Sequence, residues 1–354
     1  MWYYLYAGVF FTSLLLSFLL VPLSKKLAFN FHILDYPSQR KVHLKPMPLL
    51  GGLGIYFSIF FTILLGLWLK NFLFAHFYNY YNGIISVLPK IFSLIIILGI
   101  VVFFGLLDDI YHFRSYQKLF FQIVCGIITF LLGFKINFLP FQSLDFLLTV
   151  FWIILCMNSF NLLDHMDGLS SGVALIAGII FFIFAVMHGQ LFIATLISCF
   201  VGAMAGFLYY NFPPADIFMG ESGSSLIGYF LGVAAIMGTY YHYEISRSFL
   251  PIFSPLIILS VPFFDTISVI VIRIKNKKSI FLADRNHISH RLISLGMTKK
   301  QSILFCYLLT FCCGIPVLFL GNLNIFEGFL VIFQVILILI CVIILEGIGR
   351  KKHD

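Results

Sequence analysis

Charge is what this sequence has little of. Asp, Glu, Lys and Arg make up 10% of its 354 residues, against roughly a quarter in a soluble domain, so a water-exposed surface of ordinary size cannot be built from it. Its seven cysteines (Cys125, Cys156, Cys199, Cys306, Cys312, Cys313 and Cys341) stand in apolar runs without metal-type spacing, and read as small core or lipid-facing side chains. No repeat or low-complexity segment stands out. What the chain has in quantity is hydrocarbon: 61% hydrophobic residues, 44 of them Phe, and a mean hydropathy of +1.05. A bilayer core about 30 Å thick takes around 20 apolar residues per helix. Eleven such runs occur, near residues 2–23, 49–69, 91–107, 119–134, 146–163, 171–187, 191–209, 224–240, 252–272, 302–320 and 328–346. The expected fold is all-α, one integral-membrane domain over 1–354 with about 11 transmembrane helices.

Cytoplasmic loops retain Lys and Arg. With the N-terminus outside, all of the 22 basic residues except Lys70, Lys90, Lys135 and Arg247 fall on the inner side, so the odd helix count and the charge bias agree on an outside N-terminus and a cytoplasmic C-terminus. Lys25 and Lys26 follow the first run and no base precedes it, the pattern of a retained anchor and not of a cleaved signal. The net charge of +8 is then mostly topological; it suits phosphorylated substrates and anionic membrane lipid, with no nucleic acid required.

An ionised side chain is costly inside hydrocarbon, so the placement of acids is informative. Asp35, Asp108, Asp109, Asp164, Asp167, Asp216, Glu221 and Asp284 fall in or beside expected inner loops, at about 24–48, 108–118, 164–170, 210–223 and 273–301. Only Asp145, Glu244 and Glu327 fall outside, and Asp265 lies inside the ninth run toward its inner end. Adjacent Asp108 and Asp109 point about 100° apart on a helix, so different roles are expected. Asn158, Asn161, Asp164 and Asp167 recur every three residues, which an α-helix cannot converge, so the helix should tighten or end near Asp164. Gly220-Glu221-Ser222-Gly223-Ser224 opens the eighth run, where free backbone N–H groups favour an anion; a plain turn and helix cap would look the same. Arg285, His287, His290 and Arg291 in the longest inner loop suit phosphate contact. Gly51-Gly52, behind a proline-rich stretch, implies a fixed loop in close approach to something.

These motifs, in this order, resemble the polyprenyl-phosphate N-acetylhexosamine-1-phosphate transferase superfamily (glycosyltransferase family 4), over about Lys25 to Leu292. The histidine loop is similar to the undecaprenyl-phosphate GlcNAc-1-phosphate transferase branch, because the triple-His motif of the phospho-N-acetylmuramoyl-pentapeptide branch is absent. The resemblance implies ten or eleven helices, Mg²⁺ with Mn²⁺ as a substitute, a UDP-sugar donor, a polyprenyl phosphate acceptor and an active site on the cytoplasmic face of the cell membrane. Its product starts a lipid-linked envelope glycan such as teichoic acid or lipopolysaccharide, and a homodimer would be in keeping with the family. By motif, Asp108 and Asp109 match the paired Asp, and Asn161, Asp164 and Asp167 the uridine and catalytic motif, with Asn158 beside them. Phe218 matches the ring that stacks on uracil, Asn211 and Lys45 match further nucleotide contacts, and Glu221 stands where a metal-binding Asp is usual. His165 stands for the usual Gly, and Ser289 for a His.

The expected chemistry is phosphoryl transfer, in which a protein mainly positions groups and neutralises charge. Mg²⁺ on Glu221, with Asp109 in its outer shell, would bridge the pyrophosphate. His287, His290 and Arg285 would bind phosphate or sugar oxygens, and Asp108 would take the acceptor's proton. Two rivals remain at this stage: an intramembrane prenyltransferase using Asp164 and Asp167, and a transporter with carboxylate relays, which could claim Asp265.

Overall fold

The computed structural model describes residues 2–37, 45–69, 81–137, 140–238, 240, 248–280 and 286–350, with the backbone alone at 81, 82, 84 and 347–350. Its helices are α1 (Trp2–Asn30), α2 (Gly51–Trp68), α3 (Tyr81–Tyr111), α4 (Ser115–Leu131), α5 (Gln142–Leu163), α6 (Leu169–Met187), α7 (Leu191–Asn211), α8 (Gly220–Met237), α9 (Ser254–Ile258), α10 (Ser260–Lys275), α11 (Ile288–Ser294), α12 (Lys299–Gly314) and α13 (Ile325–Arg350). A 3₁₀ turn, Leu250–Phe253, leads into α9, and another, Ile315–Asn322, continues α12. Between α1 and α2, β1 (Leu34–Asp35) pairs antiparallel with β2 (Met47–Pro48). The chain is an all-α, multi-pass membrane protein.

Each of the eleven apolar runs lies on a helix, but not every one of those helices has the length and apolarity of a straight span. Among the described residues, eight helical segments are long and apolar enough to cross a bilayer, or nine if a bent pair is one span. The physical reasons are local. α4 has 17 residues and extends about 25 Å at 1.5 Å per residue, short of the core thickness. α8 spends its first turn on polar residues. The ninth run breaks between Leu250–Ile258 and Ser260–Lys275 with a 69° bend. Pro262 has no N–H to give the Ile258 carbonyl and its ring crowds that oxygen, which is where the break falls.

α8 is the hub. It packs against α2, α3 and α5, while α1 runs against α2 and α7. Leu226, Ile227, Tyr229, Phe230 and Leu231 of α8 are buried. The approach of α2 is as close as its paired glycines imply: a Cβ on Gly52 would lie 2.3 Å from the Gly223 nitrogen. The Gly51 and Gly52 amides donate to the Phe218 and Met219 carbonyls at 3.1 and 2.9 Å. Where lipid offers no hydrophobic force between helices, small polar groups hold them. The hydroxyls of Ser13 and Ser17 on α1 donate to the Cys199 and Ala203 carbonyls of α7, and that of Ser198 on α7 to Tyr6 of α1. Large apolar side chains such as Phe11, Leu19, Phe329 and Phe333 face outward, as a lipid environment requires. The cysteines are all free; Cys341 is exposed, Cys312 half-buried and the others buried.

Candidate active site

Four helix ends, those of α3, α4, α5 and α8, meet around one lysine, Lys118. Asp108 and Asp109 close α3 and are nearly buried, at 3% and 7% exposure. As their divergence on the helix implies, they face different partners. Asp108 accepts the Phe113 N–H at 2.9 Å through Oδ1 and holds the Lys118 ammonium at 2.8 Å through Oδ2. Asp109 turns to α8 and accepts the backbone N–H groups of Glu221 and Ser222, at 2.8 and 3.3 Å. It thus caps the helix N-terminus and its positive dipole end. Gly220 makes this possible with φ +71°; a side chain there would strike the Asp109 carboxylate.

Glu221, so placed, offers Oε1 to Lys118 at 2.7 Å and Oε2 to the amide of Asn161 on α5. Asn161 also donates to the Ser224 hydroxyl at 3.3 Å. Asn158, one turn back, donates to Gln122 of α4 at 2.5 Å and to the Ile154 carbonyl, bracing α5 against α4. α5 ends at Leu163, and Gly168 takes φ +73° before α6 begins, so the helix does stop at Asp164. The Asp164 carboxyl keeps some exposed surface, yet burial, with Glu221 and Asp167 adding like charge, pushes it up to about 8. Asp167 accepts the Ala215 N–H at 3.1 Å.

Asn211 was expected to contact nucleotide; in the structure its amide braces loops. Its oxygen accepts from the Gly168 N–H at 3.0 Å and the Ser171 hydroxyl at 2.7 Å, and its nitrogen donates to the Ile217 carbonyl at 2.9 Å. Phe218 is half-buried, and its amide donates to the Pro48 carbonyl at 2.8 Å. That bond sets it beside the loop carrying the exposed Lys45. Lys118 is the site residue that sequence reading missed, since it was counted as topological charge. The available signal was a lone base opening an otherwise apolar helix.

A second group adjoins the first through His165. Its Nδ1 meets the Leu162 carbonyl at 2.9 Å and its Nε2 the Ser289 hydroxyl at 2.5 Å. Its ring stacks on His287 and His290, with centroids 4.2 and 5.0 Å away. Burial, and then the neighbouring His287, push its pKa down to about 3, so the ring is neutral. His287 caps α11 and meets the buried Asp265 of α10 at 2.8 Å. Arg285 lies outside the described residues.

Of the two residues expected to hold a divalent ion, Glu221 faces the cavity that Asp108, Lys118, Gln122 and Met157 help to line, whereas both oxygens of Asp109 are engaged by backbone. One oxygen each from Asp108 and Glu221 lies within 2.8 Å of the same ammonium. Hard anionic oxygens therefore already converge on a cation position, and this donor set fits Mg²⁺.

The family model for glycosyl transferase family 4 matches residues 91–239, which carry Asp108 through Glu221. The chain is 33% identical over 352 residues, 97% of its length and 92% of the relative's, to a probable undecaprenyl-phosphate N-acetylglucosaminyl 1-phosphate transferase of Bacillus subtilis. It is 28% identical over 323 residues, 84% of its length and 77% of the relative's, to a decaprenyl-phosphate N-acetylglucosaminephosphotransferase of Mycolicibacterium smegmatis. A third relative, the undecaprenyl-phosphate alpha-N-acetylglucosaminyl 1-phosphate transferase of Escherichia coli, is 25% identical over 307 residues, 82% of this chain and 76% of that one. With one such relative matched along nearly its whole length, and Asp108 and Glu221 drawn to a single lysine with Asp109 and Asn161 bonded to Glu221, this chain belongs to glycosyl transferase family 4.

Proposed function

We propose that the protein transfers N-acetylglucosamine 1-phosphate from UDP-GlcNAc to undecaprenyl or another polyprenyl phosphate, releasing UMP, and so starts a lipid-linked envelope glycan. The observation that carries this reading is the convergence of Asp108 and Glu221 on one ammonium, with Asn161 of a third helix bonded to Glu221. A pyrophosphate needs such a place, where fixed cations and hard ligands neutralise charge while the reacting groups are lined up. The names borne by the relatives support the sugar and the lipid.

Glu221 would hold Mg²⁺, and Asp109 stands behind as the group that fixes Glu221. When bound, Mg²⁺ would supply charge neutralisation on the donor's phosphates. Lys118 binds phosphate oxygen, and Asp108 Oδ2 receives the proton of the acceptor phosphate. That acceptor oxygen forms its bond to the sugar-bearing phosphorus, and the phosphorus–oxygen bond to UMP breaks. Asn161, Asp164 and Asp167 hold the uridine end, Phe218 stacks on the base with Lys45 alongside, and Arg285, His287 and His290 bind phosphate and sugar oxygens. Asn211 and Asn158 keep these loops in register.

Eleven crossings, an outside N-terminus and an active site on the cytoplasmic face of the cell membrane complete the proposal. It is supported by the positions of the basic residues and by the gathering of α3, α5, α8 and α11 ends in one place. A homodimer belongs to the same proposal. Membranes containing the protein, incubated with labelled UDP-GlcNAc and undecaprenyl phosphate, should yield label in a lipid extract with stoichiometric UMP, dependent on Mg²⁺. Full activity after chelation removes the metal from the scheme, and uptake into sealed vesicles without lipid labelling replaces it with transport.

A further inference from the structure

Asp265 is the acid that the mechanism leaves unused. It is fully buried within α10, with the apolar Val261, Phe263 and Val269 also buried on that helix. A carboxylate in such a place is costly to keep and is retained where it has a partner. Its partners are specific. Oδ1 accepts the Ile288 N–H at 2.7 Å, and Oδ2 lies 2.8 Å from Nδ1 of His287. The 69° break before α10 and the short helix α11 bring these two segments, 22 residues apart in sequence, together at this point.

We infer that Asp265 is a positioning residue that fixes His287 with its proton on Nδ1, and so leaves Nε2 as the nitrogen offered to the substrate's phosphate or sugar oxygens. With both carboxylate oxygens accepting N–H, the hydrogen bond at Nδ1 sets the tautomer of the ring. Among the described residues, the ring makes no other hydrogen bond. The plane of the ring is held as well. His165 stacks on its face and is itself anchored at both nitrogens, by Leu162 and Ser289. Asp265 thus fixes the rotation of His287 and His165 fixes its tilt.

One ligand atom from each of His165, Asp265 and His287 lies within 4.8 Å of the others, a spacing that invites a metal reading. The rings oppose it. Imidazole lone pairs lie in the ring plane, and the two rings are stacked with an interplanar angle of 27°, so their lone pairs run side by side and do not meet at one ion.

The inference rests on the transfer reaction proposed above, and two measurements keep the two apart. Nitrogen NMR of the full-length protein in detergent, with isotope-labelled histidine and His287→Gln to assign the signal, should show neutral His287 protonated on Nδ1; protonation on Nε2 overturns the inference whether or not the enzyme is active. In the transfer assay, Asp265→Asn should lower kcat about 10- to 100-fold, the scale of a displaced catalytic group. KM for UDP-GlcNAc should change by no more than about twofold. In a His287→Gln background the same substitution should cost nothing further. Additive losses, or an unchanged kcat in Asp265→Asn, overturn it. If Asp265→Asn does not fold, Asp265→Glu and the wild-type NMR signal decide. A wild type that transfers nothing, with the Nδ1 proton in place, removes the reaction and leaves the pairing.

Discussion

The two halves of the site solve opposite problems. Around Lys118, Asp108 of α3 and Glu221 of α8 line a partly open cavity, and one ammonium keeps their two carboxylates together. Around His287, the groups are closed off, neutral or paired one to one, and stacked. The first half handles charge and tolerates motion. The second handles direction and does not. In the acidic half a substitution should therefore be judged by the charge it removes, and in the histidine half by the hydrogen bond or contact it removes.

The largest effect should come from Asp108→Ala, which removes the proposed base: transfer falls by about 10²- to 10⁴-fold, while calorimetry still detects UDP binding. Near-wild-type turnover would end the distinction at once. Glu221→Gln comes next, with kcat reduced about 10²-fold or more and the Mg²⁺ requirement shifted to higher concentration. Glu221→Asp, which keeps the charge, should stay within about tenfold of the wild type. If the amide and the shorter acid behave alike, charge is not what the acidic half supplies. His165→Ala, which loses a neutral ring, should cost about tenfold in kcat through misplacement of His287, with Mg²⁺ dependence unchanged. The smallest effect on chemistry is expected at Asn211→Ala. That change unpairs Gly168, Ser171 and Ile217, at a cost of about 1–3 kcal/mol in stability, so thermal unfolding should shift while turnover per folded molecule is nearly kept.

Much of the fold was legible because hydrocarbon leaves little choice. Each apolar run became a helix, the interruption at Asp164 became a helix end, and Gly51-Gly52 marked a close backbone approach. Helix form within the runs was less legible, because hydropathy reads a 17-residue helix and a helix pair bent at a proline as it reads a straight span. In the site, acids were readable since each is an anomaly in apolar sequence. Their partners were not. Lys118 resembles any inner-loop base, and the pairing of Asp265 with His287 depends on a bend that no periodicity encodes. Asn211 and Asn158 are read from the sequence as substrate contacts, and the bracing bonds the structure gives both are of a kind no sequence position announces. Arg285, also expected in the site, falls outside the described residues.

The lysine shared by Asp108 and Glu221 makes the site an exchange. Both carboxylates have a counterion in residence, so on the proposed mechanism any divalent ion would have to compete with a tethered ammonium for the same oxygens. A tighter grip by the lysine would mean a weaker grip on the ion, and the affinity for one cation would be tuned by the reach of the other.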